Sequence, residues 1–262
     1  MRRIEIVGVK GSGKSTLSRY LASKYRELFE LPDGLILKNW LARENNGHFP
    51  ATKYSYVKVL IKSILECNLL GVNVLTYIHK NNAYEWTINN LVTDDLYWKL
   101  YNRKIVDISC KYKFEFPPCW IYWSIKAFAV YNVLKTYNTD KKYLIHDEGF
   151  GQRISSLASM DIDRKDIFEL VNISPKSDCI ISLYTEPELR LKRLINRQKL
   201  SKKYVNKMEV IDNQEISYKS VDKVVMAYYE NSVPILEING SSSLKEQAKK
   251  VINFLKYRNK KY

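Results

Sequence analysis

The feature that most restricts how this chain can fold lies near its start, in the stretch RRIEIVGVKGSGKSTLSRYL. A short apolar run, Ile4 to Val7, passes straight into Gly8-Val9-Lys10-Gly11-Ser12-Gly13-Lys14-Ser15, which fits the pattern G-x-x-x-x-G-K-[ST]. Glycines let a backbone turn tightly and come close to an anion. Successive amide N–H groups then converge at a helix N-terminus, where the helix dipole favours negative charge. Leu17, Tyr20, Leu21, Tyr25 and Leu28 follow at helical spacing on one face, predicting a helix over about 14–28. A strand at 4–7, a phosphate-cradling loop and a helix are therefore expected in succession. The residues expected to bind nucleotide are Gly8, Lys10, Gly11, Ser12, Gly13, Lys14, Ser15 and Thr16. In this pattern Lys14 would reach the β- and γ-phosphates of ATP, and the Ser15 hydroxyl would ligate Mg²⁺.

Further along, three runs read as strands: KYLIHDEG (142–149), SDCIISLYT (177–185) and VPILEING (233–240). The second is continuously apolar and β-rich, as strands buried on both faces tend to be. GLILKN (34–39) is read as another strand. The region 41–140 is aromatic-rich and mostly helical in pattern; SYVKVLIKSILECNLL places Val57, Leu60, Ile61, Ile64 and Leu65 on one face. PPCWIYWSIKAFAVYNVLK begins with prolines that can open a helix but not continue one. The last helix opens at Ser243 with Glu246 three residues on, a capping box, and carries Leu244, Ala248, Val251, Ile252 and Leu255 on one stripe. Strands alternating with helices predict an α/β protein: a three-layer P-loop NTPase fold with a central parallel sheet and a mostly helical middle insertion. The expected organisation is a single domain, with a core formed by 1–40 and 141–262.

Two further groups carry chemistry. Asp147 and Glu148 end the run YLIHDE, and ligands of parallel α/β sheets bind at the carboxyl ends of strands. A carboxylate there can hold Mg²⁺ or take a proton from an attacking group. Side chains alternate along a strand, so the two are expected on opposite sides if both stay in it. In TEPELRLKRLINRQK, Arg193 and Arg197 lie four apart on one helical face, suited to clamping transferring phosphates.

The chain resembles the P-loop kinases of the nucleoside and nucleotide kinase group, thymidylate kinase most of all. The resemblance rests on the loop and first helix, the strand ending in Asp147, the unit SDCIISLYTEPELRLKRLINR and the closing VPILEING–helix unit, about half of the chain. It implies a lid role for Arg193 and Arg197 over the phosphates. In thymidylate kinases Arg and an aromatic residue usually follow the Asp; here Glu148-Gly149-Phe150 follow, with Arg153 further on.

Composition bears on partners. A formal charge of +15 over 262 residues suits an anionic small molecule, nucleic acid or an acidic membrane surface. Cys67, Cys110, Cys119 and Cys179 show no metal spacing and are expected as buried, reduced thiols, and the three histidines suggest no metal cage. The chain enters a strand at once, without a signal-peptide apolar region, and its most apolar later stretch is too short and interrupted to span a bilayer. A cytoplasmic protein is expected. The leading expectation is an ATP- and Mg²⁺-dependent kinase acting on an anionic or hydroxyl-bearing small molecule, a nucleoside, nucleotide or sugar, with Lys14, Asp147, Glu148, Arg193 and Arg197 as its catalytic set. Trp120, Tyr122 and Trp123 are either stacking surfaces for that acceptor or ordinary packing aromatics. Two alternatives stay open: an ATPase or switch in which Glu148 activates water, and a polynucleotide 5′-kinase using stretches such as KYKFEF.

Overall fold

The computed structural model describes residues 1–43, 83–93, 95–114, 117–136, 140–201 and 214–259. Among them a sheet of five parallel strands runs in the order β2-β3-β1-β4-β5, with β1 at Arg2–Val7, β2 at Phe29–Glu30, β3 at Tyr143–His146, β4 at Cys179–Tyr184 and β5 at Ile235–Asn239. The first strand lies at the centre, with Ile4 opposite Ile145 on one side and Cys179 on the other. A strand buried on both faces tends to read as a nearly unbroken apolar run, and β4, CIISLY, does so.

Helices cover both faces. Ile4 and Ile6 pack with Leu17 and Leu21 of α1 (Lys14–Lys24) and with Ala248, Val251 and Leu255 of α9 (Leu244–Asn259). Val7, Leu144 and Ile180 face the opposite layer, which contains α3 (Leu96–Lys111), α4 (Pro117–Thr136), α5 (Phe150–Ala158), α6 (Arg164–Ile173) and α8 (Gln214–Glu230). The predicted capping box of α9 forms: Ser243 N donates to Glu246 Oε2 at 3.0 Å, and Glu246 N donates to Ser243 Oγ at 3.3 Å. The helix after the loop ends at Lys24, earlier than its apolar spacing suggested.

Two charged residues sit within the apolar frame of β1. Arg3 and Glu5 are buried side by side, with Arg3 Nε 3.5 Å from Glu5 Oε1. Ser177 Oγ donates to Glu5 Oε1 at 2.9 Å, and Gly151 N in the first turn of α5 donates to Glu5 Oε2 at 2.7 Å. A buried carboxylate is tolerable only when satisfied in this way. Here it also tethers the start of α5 to the central strand.

The sequence expectation of a strand at 34–39 is wrong. GLILKN lies inside α2, Pro32–Arg43, and the second strand is the two-residue β2 before it. A short apolar run fits either element. What decides is Pro32 at the first helical position and Asp33 in the first turn, with Leu35, Ile36 and Asn39 buried on one face. In the middle region, α4 begins at the expected prolines. Phe128 of α4 packs edge-on against Phe150 of α5 at 4.7 Å between ring centroids and against Tyr101 of α3 at 5.4 Å. These helices thus share the core of the sheet. The predicted apolar face from Val57 to Leu65 lies outside the described residues, as does Cys67. Cys179 is buried as expected; Cys110 is exposed, because it falls on the outer side of α3. Among the described residues no helix is long and apolar enough to cross a membrane.

Candidate functional site

The chain leaves β1 toward the α1 layer and leaves β3 toward the α5 layer. These two strands are neighbours, so their carboxyl ends flank a crevice that no connection crosses, the place where open α/β sheets bind ligands. The loop Gly8–Ser15 lies at one lip of it, and Asp147 and Glu148 at the other.

The loop has the shape its glycines permit. Gly11 and Gly13 have φ of 90° and 105°, in the left-handed region that side chains disfavour. At Gly8 a Cβ would lie 2.5 Å from the Leu183 carbonyl oxygen, so close passage over β4 requires glycine. Gly13 caps α1 without any side-chain cap, and the first turn of that helix holds no acidic residue. Its N-terminus is therefore suited to an anion. Lys14 Nζ donates to Gly8 O at 2.7 Å and Val9 O at 3.2 Å, lying across the loop. Burial lowers its pKa to about 8, against the opposing pull of Glu148 and Asp147.

Two cavities open on this crevice. The larger, about 630 Å³, is walled by residues 10–16 of the loop, by Glu148 and Gln152, by Arg193 and Arg197, and by residues following β5. The smaller, about 280 Å³, lies between α1, the start of α2, α4 and the end of β3. Its wall includes Arg19, Asp33, Tyr84, Trp123, Lys126, His146, Asp147 and Arg153. Ser15 and Glu148 belong to both walls. Ser15 and Asp147 share the smaller cavity and offer only hard oxygen donors, the type that suits Mg²⁺.

Asp147 and Glu148 do not continue the strand; β3 ends at His146 and both lie in the turn that follows. The alternation of a strand therefore does not apply, and both acids line the smaller cavity. Glu148 pairs with Arg153 at 2.7 Å, and the Arg153 guanidinium stacks over the Trp123 ring at 4.9 Å. Burial lowers the pKa of Arg153, and Glu148 pulls it back up. His146 is buried, and its pKa falls to about 3 through burial first, then the nearby Arg3 and Arg153 charges; it is neutral at physiological pH. Lys126 lies over the rings of Tyr122 at 4.6 Å and Trp123 at 5.4 Å, and Tyr84 Oη donates to Asp33 Oδ1 at 3.2 Å.

The two arginines of α7 (Pro187–Ser201) both reach the larger cavity but differ in what they touch. Arg197 is exposed there. Arg193 is tied down: Nη1 donates to Ser12 O at 3.0 Å and Nη2 to Gly240 O at 2.9 Å. Of the three aromatics, Trp123 lines the smaller cavity, whereas Trp120 packs on Phe114 at 5.3 Å. In KYKFEF, Lys111 and Tyr112 are bound to Asp166 at 2.8 and 3.0 Å, and Phe114 is covered by Trp120. Sequence reasoning did not find Asp33, Tyr84, His146, Arg153 or Gln152 as site residues. No short motif joins them; only the six-residue step from Asp147 to Arg153, one helical turn into α5, was available as a signal.

No family model matches the chain, and neither does any curated protein. Solved structures of deoxyadenosine kinase from M. mycoides are similar over 97% of this chain and 99% of theirs. With the products dCMP and a flexible dCDP bound, the identity is 14% and the TM-score 0.45. With dATP bound they are 13% and 0.45, and with dCTP 14% and 0.42. With identities this low and TM-scores below 0.5, nothing about the site follows from them.

Proposed function

We propose that this protein is an ATP-dependent phosphotransferase that moves the γ-phosphate to a small-molecule acceptor. One observation carries the reading: a cavity floored by a phosphate-type loop adjoins a second, aromatic and polar cavity, and Ser15 and Glu148 form the wall between them. Two molecules seated in such cavities would meet at that wall, and phosphoryl transfer consists mainly of positioning and charge stabilisation.

On this reading the triphosphate lies along residues 8–16, and the Lys14 ammonium exchanges the Gly8 and Val9 carbonyls for the β- and γ-phosphate oxygens. Arg197, exposed in the same cavity, adds positive charge over the transferring group. Mg²⁺, when bound through Ser15 and Asp147, would neutralise phosphate charge. Asp147 is the preferred base for the acceptor hydroxyl or phosphate, since Glu148 is engaged by Arg153. The acceptor occupies the smaller cavity, where Trp123 and Tyr84 offer aromatic surface and Arg19, Lys126 and Arg153 offer charge to an anionic group. A nucleoside, nucleotide or sugar-like molecule fits this chemistry. The chain is then one domain, and its 41–140 region contributes Tyr84, Trp123, Lys126 and Ala127 to the acceptor wall.

Incubation with γ-labelled ATP and a metabolite extract, followed by mass spectrometry of what becomes labelled, tests the proposal. Label should pass to an organic acceptor. ATP hydrolysis at full rate without any acceptor would instead favour an ATPase that uses Glu148 on water. Tight oligonucleotide binding with a steep salt slope would favour a polynucleotide substrate.

A further inference from the structure

Arg193 points to a function different from a lid. It comes from α7, Thr185 from the end of β4 and Gly240 from the end of β5, and all three meet at one atom group of the loop, the Ser12 carbonyl. Thr185 Oγ1 donates to Ser12 O at 2.9 Å, and Arg193 Nη1 donates to the same oxygen at 3.0 Å. The other guanidinium nitrogen, Nη2, holds Gly240 O at 2.9 Å, which buried Gln247 also reaches through Nε2 at 3.3 Å. The fit excludes any side chain at residue 240: a Cβ there would lie 2.1 Å from Thr185 Oγ1 and 2.8 Å from Ser12 O. Thr185 is fully buried, so its hydroxyl is committed to this contact. Among the described residues Arg193 has no carboxylate partner, and its charge stands uncompensated behind the loop.

The peptide joining Ser12 to Gly13 is trans, so its N–H points opposite to its carbonyl. Holding the carbonyl back toward β4 and β5 turns the Gly13 N–H the other way, toward the phosphate cavity that Ser12 and Gly13 line. We infer that Thr185 and Arg193 form a clasp that fixes the Ser12–Gly13 peptide and so sets the phosphate-binding direction of the loop before any ligand arrives. They are positioning residues: they act through a main-chain amide, and the benefit is an amide that need not be reoriented on binding. The inference deepens the nucleotide-binding part of the proposal above and does not depend on any acceptor.

The test is calorimetric titration of the full chain with Mg·ADP and, separately, with Mg·pyrophosphate, which has no base or sugar to hold. Thr185→Val keeps the shape and removes the donor; it should weaken both ligands by the same factor, about tenfold, while Thr185→Ser stays within about twofold of the native protein. Arg193→Lys, which cannot span the two carbonyls as a planar fork, should weaken both by about as much as Thr185→Val. Because Arg193 is only partly buried, this variant serves should Thr185→Val fail to fold. A structural role alone would lower the melting temperature and leave the affinity of the folded protein unchanged. Pyrophosphate affinity within twofold of native in both Thr185→Val and Arg193→Lys overturns the clasp, as does a Thr185→Ser loss equal to that of Thr185→Val. Failure to find an acceptor would bear only on the transfer reaction, since neither ligand here requires one.

Discussion

The two cavities at the carboxyl ends of β1 and β3 are built in opposite ways. The larger cavity has as its longest continuous piece the loop, residues 10–16, whose course is shaped by glycine; the Arg193 side chain of α7 and the Thr185 side chain after β4 brace it from behind. The smaller cavity, proposed for the acceptor, is made of residues from α1, the α2 start, the segment at Tyr84, α4 and the turn after β3, with no two of its aromatic residues close in sequence. A ligand common to many proteins can be held by backbone, which every sequence has. A particular ligand must be read by side chains, and those can be drawn from anywhere the fold brings together.

That contrast can be broken at several points. The largest effect is expected from Lys14→Met, which removes the cation over the phosphates and should lower transfer about 10³-fold while leaving the acceptor cavity unaltered. A residual rate within tenfold of native would show that the loop is not where the triphosphate reacts. Next come the acids on the shared side. Asp147→Asn should cost about 10²–10³-fold in kcat and Glu148→Gln about tenfold, because Glu148 is half exposed and already paired with Arg153. Equal small losses would remove both from the chemistry.

The Lys14 ammonium gives a pH signature confined to the phosphate cavity. In the unliganded protein its pKa lies near 8, and bound phosphates favour the charged form. Nucleotide binding must therefore take up a proton as the pH passes through about 8, roughly half a proton at pH 8 and nearly a whole one by pH 9. The Kd for Mg·ADP should be flat from pH 6 to about 7, roughly double by pH 8 and then rise by up to about tenfold per pH unit. Lys14→Met should abolish the slope, and a native profile flat to pH 10 would contradict it. Trp123→Ala probes the other cavity: the acceptor KM should rise about three- to tenfold with Mg·ADP affinity unchanged. The smallest effect lies outside both. Ser243→Ala should cost about 1 kcal/mol of stability, seen in denaturant unfolding, with kinetic constants unaltered.

Legibility in the sequence followed the same division. The strand, loop and first helix could be read because their requirements are local: an apolar run, glycines where φ is positive, and apolar residues at helical spacing. The capping box of α9 and the proline start of α4 were legible for the same reason. GLILKN misled because three apolar residues in a row satisfy either period, and the deciding proline stood two residues before the run. Arg193 could be picked out as a candidate from its place on the helix face, but its partners were hidden: the Ser12 and Gly240 carbonyls lie 181 and 47 positions away.

The sequence by itself settled that a parallel α/β sheet would carry a phosphate-shaped loop at its first strand, since glycine conformation and hydrophobic period act over a few residues. Only the tertiary structure decided that β3 lies beside β1, which brings Asp147 and Glu148 to the loop. It also decided that α4 packs on α2 and α5, which brings Trp123 and Lys126 to the smaller cavity. Strand order and helix placement depend on how whole apolar faces pack, and such packing joins residues more than a hundred positions apart without leaving a local mark.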